Sequence, residues 1–173
     1  MKTDFGEVTI RNATEDDVGQ ILAIDEMVFS TIWSPNFLRQ QLRSEKCFHR
    51  VLDKSGKAIG HSGLMRLHDE GHITTMAIKP ENQNSGLGSL MLADLCCSAI
   101  DLNLKGITLE VRVGNSKAQA LYRKFGFAPA GVRPNYYSDT GEDALIMWLS
   151  DLSDQKVIEI VESTINRLDV QKV

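Results

Sequence analysis

The stretch that most constrains this chain is residues 72–91, HITTMAIKPENQNSGLGSLM, in which an apolar strand and a turn at Pro80 lead into a glycine-bearing loop. The loop, residues 83–88, immediately precedes the start of a helix. Glycine lets the backbone approach a ligand closely, and the first N–H groups of a helix have no partner within it. The loop therefore predicts an anion site, with a plain strand-to-helix connector as the alternative.

The loop matches neither of the commoner nucleotide-binding patterns. A Walker loop needs Gly-Lys-Ser/Thr at its end, whereas Gly88 is followed by Ser89 and Leu90. A dinucleotide fingerprint needs a third glycine, and position 91 is Met. The expected ligand carries phosphate but is not simply ATP or NAD.

Composition narrows the class of partner. A chain of 173 residues that is 42% hydrophobic is long enough for one domain with a proper core. Its net charge of -4 gives no support to direct nucleic-acid binding and suits a basic peptide or a cationic amine. No apolar run reaches membrane-spanning length and the first residues do not resemble a signal peptide, so we expect a cytoplasmic protein with no membrane partner.

Cysteines and histidines give no pattern of metal binding. The cysteines stand at positions 47, 96 and 97, a spacing that fits no metal site and suits free thiols in a reducing compartment. The histidines at 49, 61, 68 and 72 show no ligand spacing either. We therefore expect no metal cofactor and interpret the histidines as surface or strand residues.

Periodicity and turn residues predict a mixed α/β (α+β) fold. Thr14 and Asp17 have the form of a capping box for a first helix, and Ser34 with Pro35 suits the start of a second. Strands at 47–52, 58–67 and 72–78, joined by tight turns, predict an antiparallel meander. A helix at 87–102 then leads to a strand at 107–113, which should run parallel to 72–78. A helix at 117–124, a strand at 144–149 and a helical segment within 151–173, capped by Ser150 or Asp151, complete the prediction.

Two side chains are candidates for proton transfer. Strand 107–113 places Glu110 on the face opposite its apolar residues, where a carboxylate is either a general base at a cleft or one half of an ion pair with Arg112 or another cation. Tyr122 follows on the next helix and is either a core tyrosine or part of the site. Phe29 and Trp33 form an aromatic cluster that is either a lid over the core or one wall of a substrate cleft.

The residues in register from 76 to 147 resemble the Gcn5-related N-acetyltransferase (GNAT) family. The resemblance rests on Met76-Ala77-Ile78, on Gln83-x-x-Gly86-x-Gly88, and on the run from Glu110-Val111-Arg112-x-x-Asn115 through Leu121-Tyr122 to Gly126-Phe127. The later segments 133–137, RPNYY, and 142–147, EDALIM, are similar to the RimI branch, which acetylates protein N-termini and whose bacterial type member modifies a small-subunit ribosomal protein. The resemblance implies a mostly antiparallel central sheet with a splayed parallel pair and flanking helices, in one domain over 1–150 with a C-terminal helical extension over 151–173.

The resemblance also implies roles for individual residues. Glu110 would be the general base and Tyr122 the general acid. Acetyl-CoA, the co-substrate, would be held by the backbone of Met76, Ala77 and Ile78, by the loop residues Gln83, Asn84, Ser85, Gly86, Leu87 and Gly88, and by Asn115. The acceptor would lie between Tyr136 and Tyr137 on one side and Phe29 and Trp33 on the other.

The implied reaction is acetyl transfer to a protein N-terminal α-amine, by a monomer or weak dimer. The alternatives are a lysine side-chain or small-amine acetyltransferase and a non-catalytic acyl-CoA-binding module. One departure concerns the loop, because RimI-like loops usually carry arginines between the glutamine and the first glycine. This chain has Asn84 and Ser85 there, so we expect lower or more salt-tolerant acetyl-CoA affinity.

Overall fold

The computed structural model describes residues 8–168 and 171–172. These residues form eight strands and five α-helices. The strands are β1 (Val8–Asn12), β2 (Cys47–Lys54), β3 (Lys57–Leu67), β4 (Glu70–Ile78), β5 (Gly106–Arg112), β6 (Ala128–Tyr137), β7 (Glu142–Leu149) and β8 (Gln171–Lys172). The helices are α1 (Val18–Val28), α2 (Pro35–Arg43), α3 (Leu87–Asp101), α4 (Ser116–Lys124) and α5 (Gln155–Leu168).

All the strands join one mixed sheet in the order β6-β7-β5-β4-β3-β2-β1-β8. Most neighbours run antiparallel, and the predicted meander of β2, β3 and β4 is confirmed. β4 and β5 run parallel, as the crossover through α3 requires, and the two-residue β8 runs parallel to β1 at the sheet edge. The expected fold class is confirmed.

Local sequence signals set the starts of the first two helices. Thr14 and Asp17 form the predicted capping box ahead of α1, and Arg11 also binds the Asp17 carboxylate at 2.8 Å. The Ser34 hydroxyl accepts a hydrogen bond from the N–H of Phe37, with Pro35 at the first position of α2. These hydrogen bonds satisfy N–H groups that would otherwise lack a partner.

Helices cover both faces of the sheet. α1 and α2 bury residues against β2, β3 and β4, in a cluster of Val18, Ile21, Ile24, Leu38, Val51, Ala58 and Ala77. α3 and α5 lie on the other face, where Leu92 and Leu95 belong to the same core cluster as Ile107, Leu109 and Val161. Within the described ranges, no helix is both long and apolar enough to cross a lipid bilayer.

Three details differ from the sequence-based expectation. The apolar spacing predicts Met27 and Phe29 on the first helix, but α1 ends at Val28 with Phe29 beyond it, and Met27 is 55% exposed although it lies within the helix. β6 was not predicted as a strand, because prolines and a glycine interrupt its alternation. α5 starts later than expected, and the Asp154 carboxylate, not Ser150 or Asp151, accepts from its first turn at Lys156 N–H.

α3 is tied to the sheet by a buried ion pair as well as by apolar contacts. Asp94 on α3 accepts two hydrogen bonds from the Arg50 guanidinium on β2, at 2.8 and 3.2 Å. The side chains are only 3% and 13% exposed. Such a pair, once one partner is removed, leaves a charge buried without compensation.

We expect Asp94→Ala to lower the free energy of unfolding by about 3–5 kcal/mol, because Arg50 would lose its buried counter-charge. Urea denaturation followed by circular dichroism measures the change. Arg43→Ala is the matched control, since its ion pair with Glu15 is exposed on both sides, and should leave the free energy of unfolding close to that of the parent chain. Similar costs for the two variants would show that the Arg50–Asp94 pair does not hold α3 to the sheet.

Candidate active site

The centre of the site is the point where two parallel strands part. β4 and β5 pair over three residue pairs, from Glu70 opposite Gly106 to His72 opposite Thr108. Beyond His72, β4 continues against β3 while β5 continues against β7. Among the described residues, no strand pairs with β4 over 73–78 on its β5 side, so the backbone of Met76, Ala77 and Ile78 borders an opening in the sheet.

The loop after β4 is shaped to present backbone N–H groups. Asn84 and Gly86 both have positive φ angles, of 59° and 90°, and Gly86 is the residue that precedes α3. In the described part of the chain, the N–H groups of residues 84–88 donate to no protein acceptor. They lie at the positive end of the α3 dipole, an arrangement that suits a phosphate group.

Gln83 was expected to offer its backbone N–H to the ligand, but it makes hydrogen bonds within the loop instead. Its backbone N–H donates to Pro80 O at 3.2 Å, and its side-chain amide donates to Ile78 O at 2.9 Å. The expected set of N–H donors is therefore corrected to begin at Asn84. Gln83 braces the loop against the end of β4, and the Ser85 hydroxyl does the same by donating to Asn82 O.

Glu110 lies on β5, on the face that α1 and α2 cover, and its side chain is only 12% exposed. The sequence left open an ion pair with Arg112, and that pair is absent among the described contacts. Glu110 instead contacts two other side chains, His72 and Arg133. Its Oε2 is 3.0 Å from His72 Nε2, and its Oε1 accepts from Arg133 Nε at 3.0 Å.

The position of the His72 ring is set by a second contact. Its Nδ1 lies 3.0 Å from the Thr108 hydroxyl, which is also 3.4 Å from the carbonyl of Gly71. The Thr108 hydroxyl can therefore donate to a neutral Nδ1, or accept from a protonated one and donate to the carbonyl. Nε2 carries a hydrogen toward Glu110 in the tautomer whose Nδ1 accepts from Thr108 and in the doubly protonated ring, and in those two forms the contact with the carboxylate is favourable.

α4 brings a second functional group to the same opening. Asn115 caps this helix, with its Oδ1 accepting from Ala118 N–H at 3.1 Å, and its exposed side chain keeps an amide N–H₂ for a ligand. The side chain of Gln119 donates to the carbonyls of Arg112 and Val113, at 3.1 and 2.9 Å. The helix that carries Tyr122 is thus fastened to the end of the strand that carries Glu110.

Tyr122 is 7% exposed and packs against Phe127, with ring centroids 5.7 Å apart. Burial, reinforced by the nearby Tyr137 hydroxyl, raises the pKa of Tyr122 to about 12. The phenol therefore keeps its proton at neutral pH. It is suited to donate a proton, not to accept one.

Tyr137, at the end of β6, is fixed by Arg112. The guanidinium lies 3.9 Å from the centroid of the Tyr137 ring, a cation–π contact. The same guanidinium donates to both carboxylate oxygens of Asp139, at 2.8 and 2.9 Å, and to Glu142 at 3.1 Å. These carboxylates raise the pKa of Arg112, so its charge is permanent. Tyr136 beside it is 49% exposed.

The aromatic residues Phe29 and Trp33, which were expected on the other side of the acceptor, lie near the hairpin that joins β6 and β7. The Ser30 hydroxyl, next to Phe29, and the Arg112 guanidinium interact with Asp139 and hold the pKa of its carboxyl below the usual value. Phe29 is 38% exposed, whereas Trp33 is half-buried and packs edge-on against Phe37 and His49. The structure thus brings the two aromatic groups to the same side of the sheet as Glu110, with Trp33 also acting as a lid over the core.

Comparison with known proteins agrees with this architecture. The family model described as acetyltransferase (GNAT) family matches residues 17–127. The chain belongs to the GNAT family. A Bacillus subtilis protein, named provisionally as a ribosomal protein bS18-alanine N-acetyltransferase, is 36% identical over 87% of this chain and 98% of its own length. N-alpha-acetyltransferase RimI of Mycobacterium tuberculosis is 30% identical over 85% of this chain and 95% of its own.

A solved structure is similar throughout. The crystal structure of the ribosomal-protein-S18-alanine N-acetyltransferase of Escherichia coli superposes with a TM-score of 0.77 at 28% identity. The match covers 86% of this chain and 97% of that one. The expected family and its RimI-like branch are thereby confirmed.

Sequence reasoning about this GNAT site missed His72 and Arg133. His72 was interpreted as a surface or strand residue, and Arg133 was noticed only as part of the RPNYY segment. The signal for His72 was available in principle, because alternate residues on paired strands share a face. Using it requires knowing that His72 pairs with Thr108, two residues before Glu110, and no pattern in the sequence states that register.

Gly63 is a further position that the sequence left unexplained. A Cβ atom there would lie 2.7 Å from Thr74 Oγ1 and 2.8 Å from His49 Cε1, so no larger residue fits.

Burial lowers the pKa of His49 to about 4, and its ring is neutral at pH 7. Among the described residues, no metal-binding group of three or more His, Cys, Asp or Glu side chains is found.

We expect Tyr122→Phe to lower kcat by about 100-fold or more while leaving the fold intact, because the ring keeps its packing and only the hydroxyl is lost. Since the phenol titrates near pH 12, the kcat of the unchanged chain should show no descending limb from this group below about pH 11. Rates of CoA release across pH measure both effects. An unchanged kcat in Tyr122→Phe would remove Tyr122 from the role of acid, and a descending limb below about pH 10 that disappears in this variant would contradict the raised pKa.

Proposed function

We propose that this chain transfers an acetyl group from acetyl-CoA to the N-terminal α-amine of a protein. The observation that carries the proposal is the position of Glu110, a shielded carboxylate at the opening between β4 and β5, with the buried phenol Tyr122 on the adjoining helix. The names of the relatives, which are N-alpha-acetyltransferases and ribosomal protein bS18-alanine N-acetyltransferases, support the same reaction.

The residues around the opening suit acetyl-CoA. The backbone groups of Met76, Ala77 and Ile78 that border the opening, apart from the Ile78 carbonyl that accepts from Gln83, would hydrogen-bond the extended pantetheine arm as a neighbouring strand does. The N–H groups of residues 84–88 would bind the pyrophosphate, and Asn115 would contact the arm near its thioester end. Asn84 and Ser85 supply no positive charge here, so the α3 dipole and the backbone carry this binding.

Glu110 would act as the general base. A peptide α-amine has a reference pKa of about 7.7 to 8.0, so much of it arrives as an ammonium and must lose a proton before it attacks the thioester. The Glu110 carboxylate can take that proton directly or through a water molecule. His72 would hold the carboxylate in orientation during the transfer.

Tyr122 would act as the general acid. Attack of the amine on the thioester carbon breaks the carbon–sulfur bond and leaves a thiolate, which the Tyr122 hydroxyl can protonate. Its high pKa ensures that the proton is present when it is needed. Backbone N–H groups of β4 would stabilise the oxyanion, and no covalent enzyme intermediate is required.

The acceptor would lie on the α1–α2 side of the sheet, between Phe29 and Trp33 and the pair Tyr136 and Tyr137. The hairpin acids Glu142 and Asp143 and the net charge of -4 favour a cationic N-terminus. A small-subunit ribosomal protein is the proposed acceptor, in line with the relatives' names. We expect a cytoplasmic monomer or weak dimer, with neither nucleic acid nor membrane as a direct partner.

CoA release with three acceptors separates this function from its alternatives. The acceptors are a peptide with a free N-terminus and no lysine, its N-blocked counterpart with one lysine, and a polyamine. We expect turnover of the first to exceed that of the others by about 100-fold or more in kcat/KM, because the groove is taken to hold the peptide backbone next to the amine. Turnover of only the blocked lysine peptide would exclude N-terminal acetylation, and acetyl-CoA binding without turnover would favour a non-catalytic module.

We expect Glu110→Gln to lower kcat by about 100-fold or more and to flatten the rise of rate with pH, since the amide cannot accept the proton. The KM for acetyl-CoA should change little, because Glu110 lies outside the proposed cofactor contacts. Steady-state kinetics between pH 6 and about pH 9 test this. A variant with an unchanged pH profile would remove Glu110 from the role of base.

A further inference from the structure

Glu110 has two carboxylate oxygens, and each contacts one nitrogen-bearing side chain. His72 lies on Oε2 and Arg133 on Oε1, both at 3.0 Å. The Glu110 side chain is 12% exposed, which leaves little room for any further ligand. An acceptor ammonium that delivers its proton to this carboxylate must approach one of the two oxygens that are already engaged.

The two contacts differ in how firmly they are held. His72 is 20% exposed and is fixed on its far side by Thr108. Arg133 is 56% exposed, and in the part of the chain described here its side chain makes no hydrogen bond other than the one to Glu110. The register of β6 against β7 is also irregular on both sides of Arg133. Arg133 is therefore the partner that can leave at little cost.

We propose that the Arg133 guanidinium occupies the place of the acceptor's ammonium on Glu110 Oε1, and that an acceptor binds by displacing it. The inference rests on the proposed function in taking Glu110 as the base. Both groups are N–H donors with a positive charge, so they compete for the same oxygen lone pairs. His72 stays on Oε2 throughout and keeps the carboxylate oriented.

Two consequences follow for the ligands of this site. A cation can replace Arg133 while preserving the charge balance at the shielded Glu110 carboxylate, whereas a neutral group cannot. Acceptors should therefore bind as ammonium ions and lose the proton on the enzyme. Small guanidinium ions should bind in the same place once Arg133 is removed, and should then compete with acceptors.

The first experiment measures this binding without requiring turnover. Methylguanidinium is titrated, in the presence of CoA, into the parent chain, Arg133→Ala, Arg43→Ala and the double variant Arg133→Ala/Glu110→Gln, and the NMR signal of the His72 ring is followed. Arg43 is the matched control because it is an equally exposed arginine whose ion pair, with Glu15, shares no residue with this site.

We expect Arg133→Ala to bind methylguanidinium at least about two- to fivefold more tightly than the parent. This factor corresponds to the strength of an exposed ion pair, which the added ion must break in the parent but not in the variant. Arg43→Ala should match the parent, and the double variant should lose the gain. Equal affinity in the parent and Arg133→Ala would overturn the proposal. So would a gain that persists in the double variant, because the ion would then not be bound to Glu110.

The second experiment uses whichever amine acceptor the parent acetylates. Arg133→Met should lower the acceptor KM about two- to fivefold and leave the acetyl-CoA KM unchanged, while Arg133→Lys should stay close to the parent. A raised acceptor KM in Arg133→Met would mean that Arg133 helps to bind the acceptor and would overturn the proposal. Failure to acetylate a free N-terminus would count against the proposed function alone, since the methylguanidinium result does not depend on it.

Discussion

The early separation of β4 from β5 is the constraint on which the rest of this structure depends. The strands pair over three residue pairs and then turn to different neighbours, which leaves the end of β4 with unpaired backbone groups. Unpaired backbone groups inside a protein need partners, and an extended amide-bearing ligand can supply them. The loop at the end of β4 and the N-terminus of α3 then lie where the phosphates of such a ligand would be.

The same separation determines which ionisable side chains lie beside the opening on the α1–α2 face of the sheet. Because side chains alternate along a strand, β5 buries Leu109 and Val111 under α3 and places Glu110 on the α1–α2 face. His72, at the last paired position of β4, then lies directly beside the carboxylate. Tyr122 approaches from α4, which Gln119 fastens to the end of β5. The proposed cofactor side and the proposed acceptor side therefore meet at one opening.

Much of this could be predicted from local signals in the sequence. The capping box at Thr14, the cap at Ser34, the meander and the parallel crossover each depend on residues close together in the chain, and each was predicted correctly. What could not be predicted depends on pairing between distant residues. The contacts of Glu110 with His72 and Arg133 follow from strand registers, and β6 is held by β7 despite the prolines and glycine in its own sequence. The backbone N–H of Gln83 was expected to bind the ligand, but it donates to the carbonyl of Pro80 instead.

The most direct test of the account is to identify the atom that becomes acetylated. A peptide with both a free N-terminus and an internal lysine is incubated with the chain and acetyl-CoA, and fragmentation mass spectrometry locates the added acetyl group. Acetylation of the α-amine is expected, with a strong loss of that product in Glu110→Gln. Acetyl groups found only on the lysine, or α-amine acetylation that is undiminished in Glu110→Gln, would contradict it.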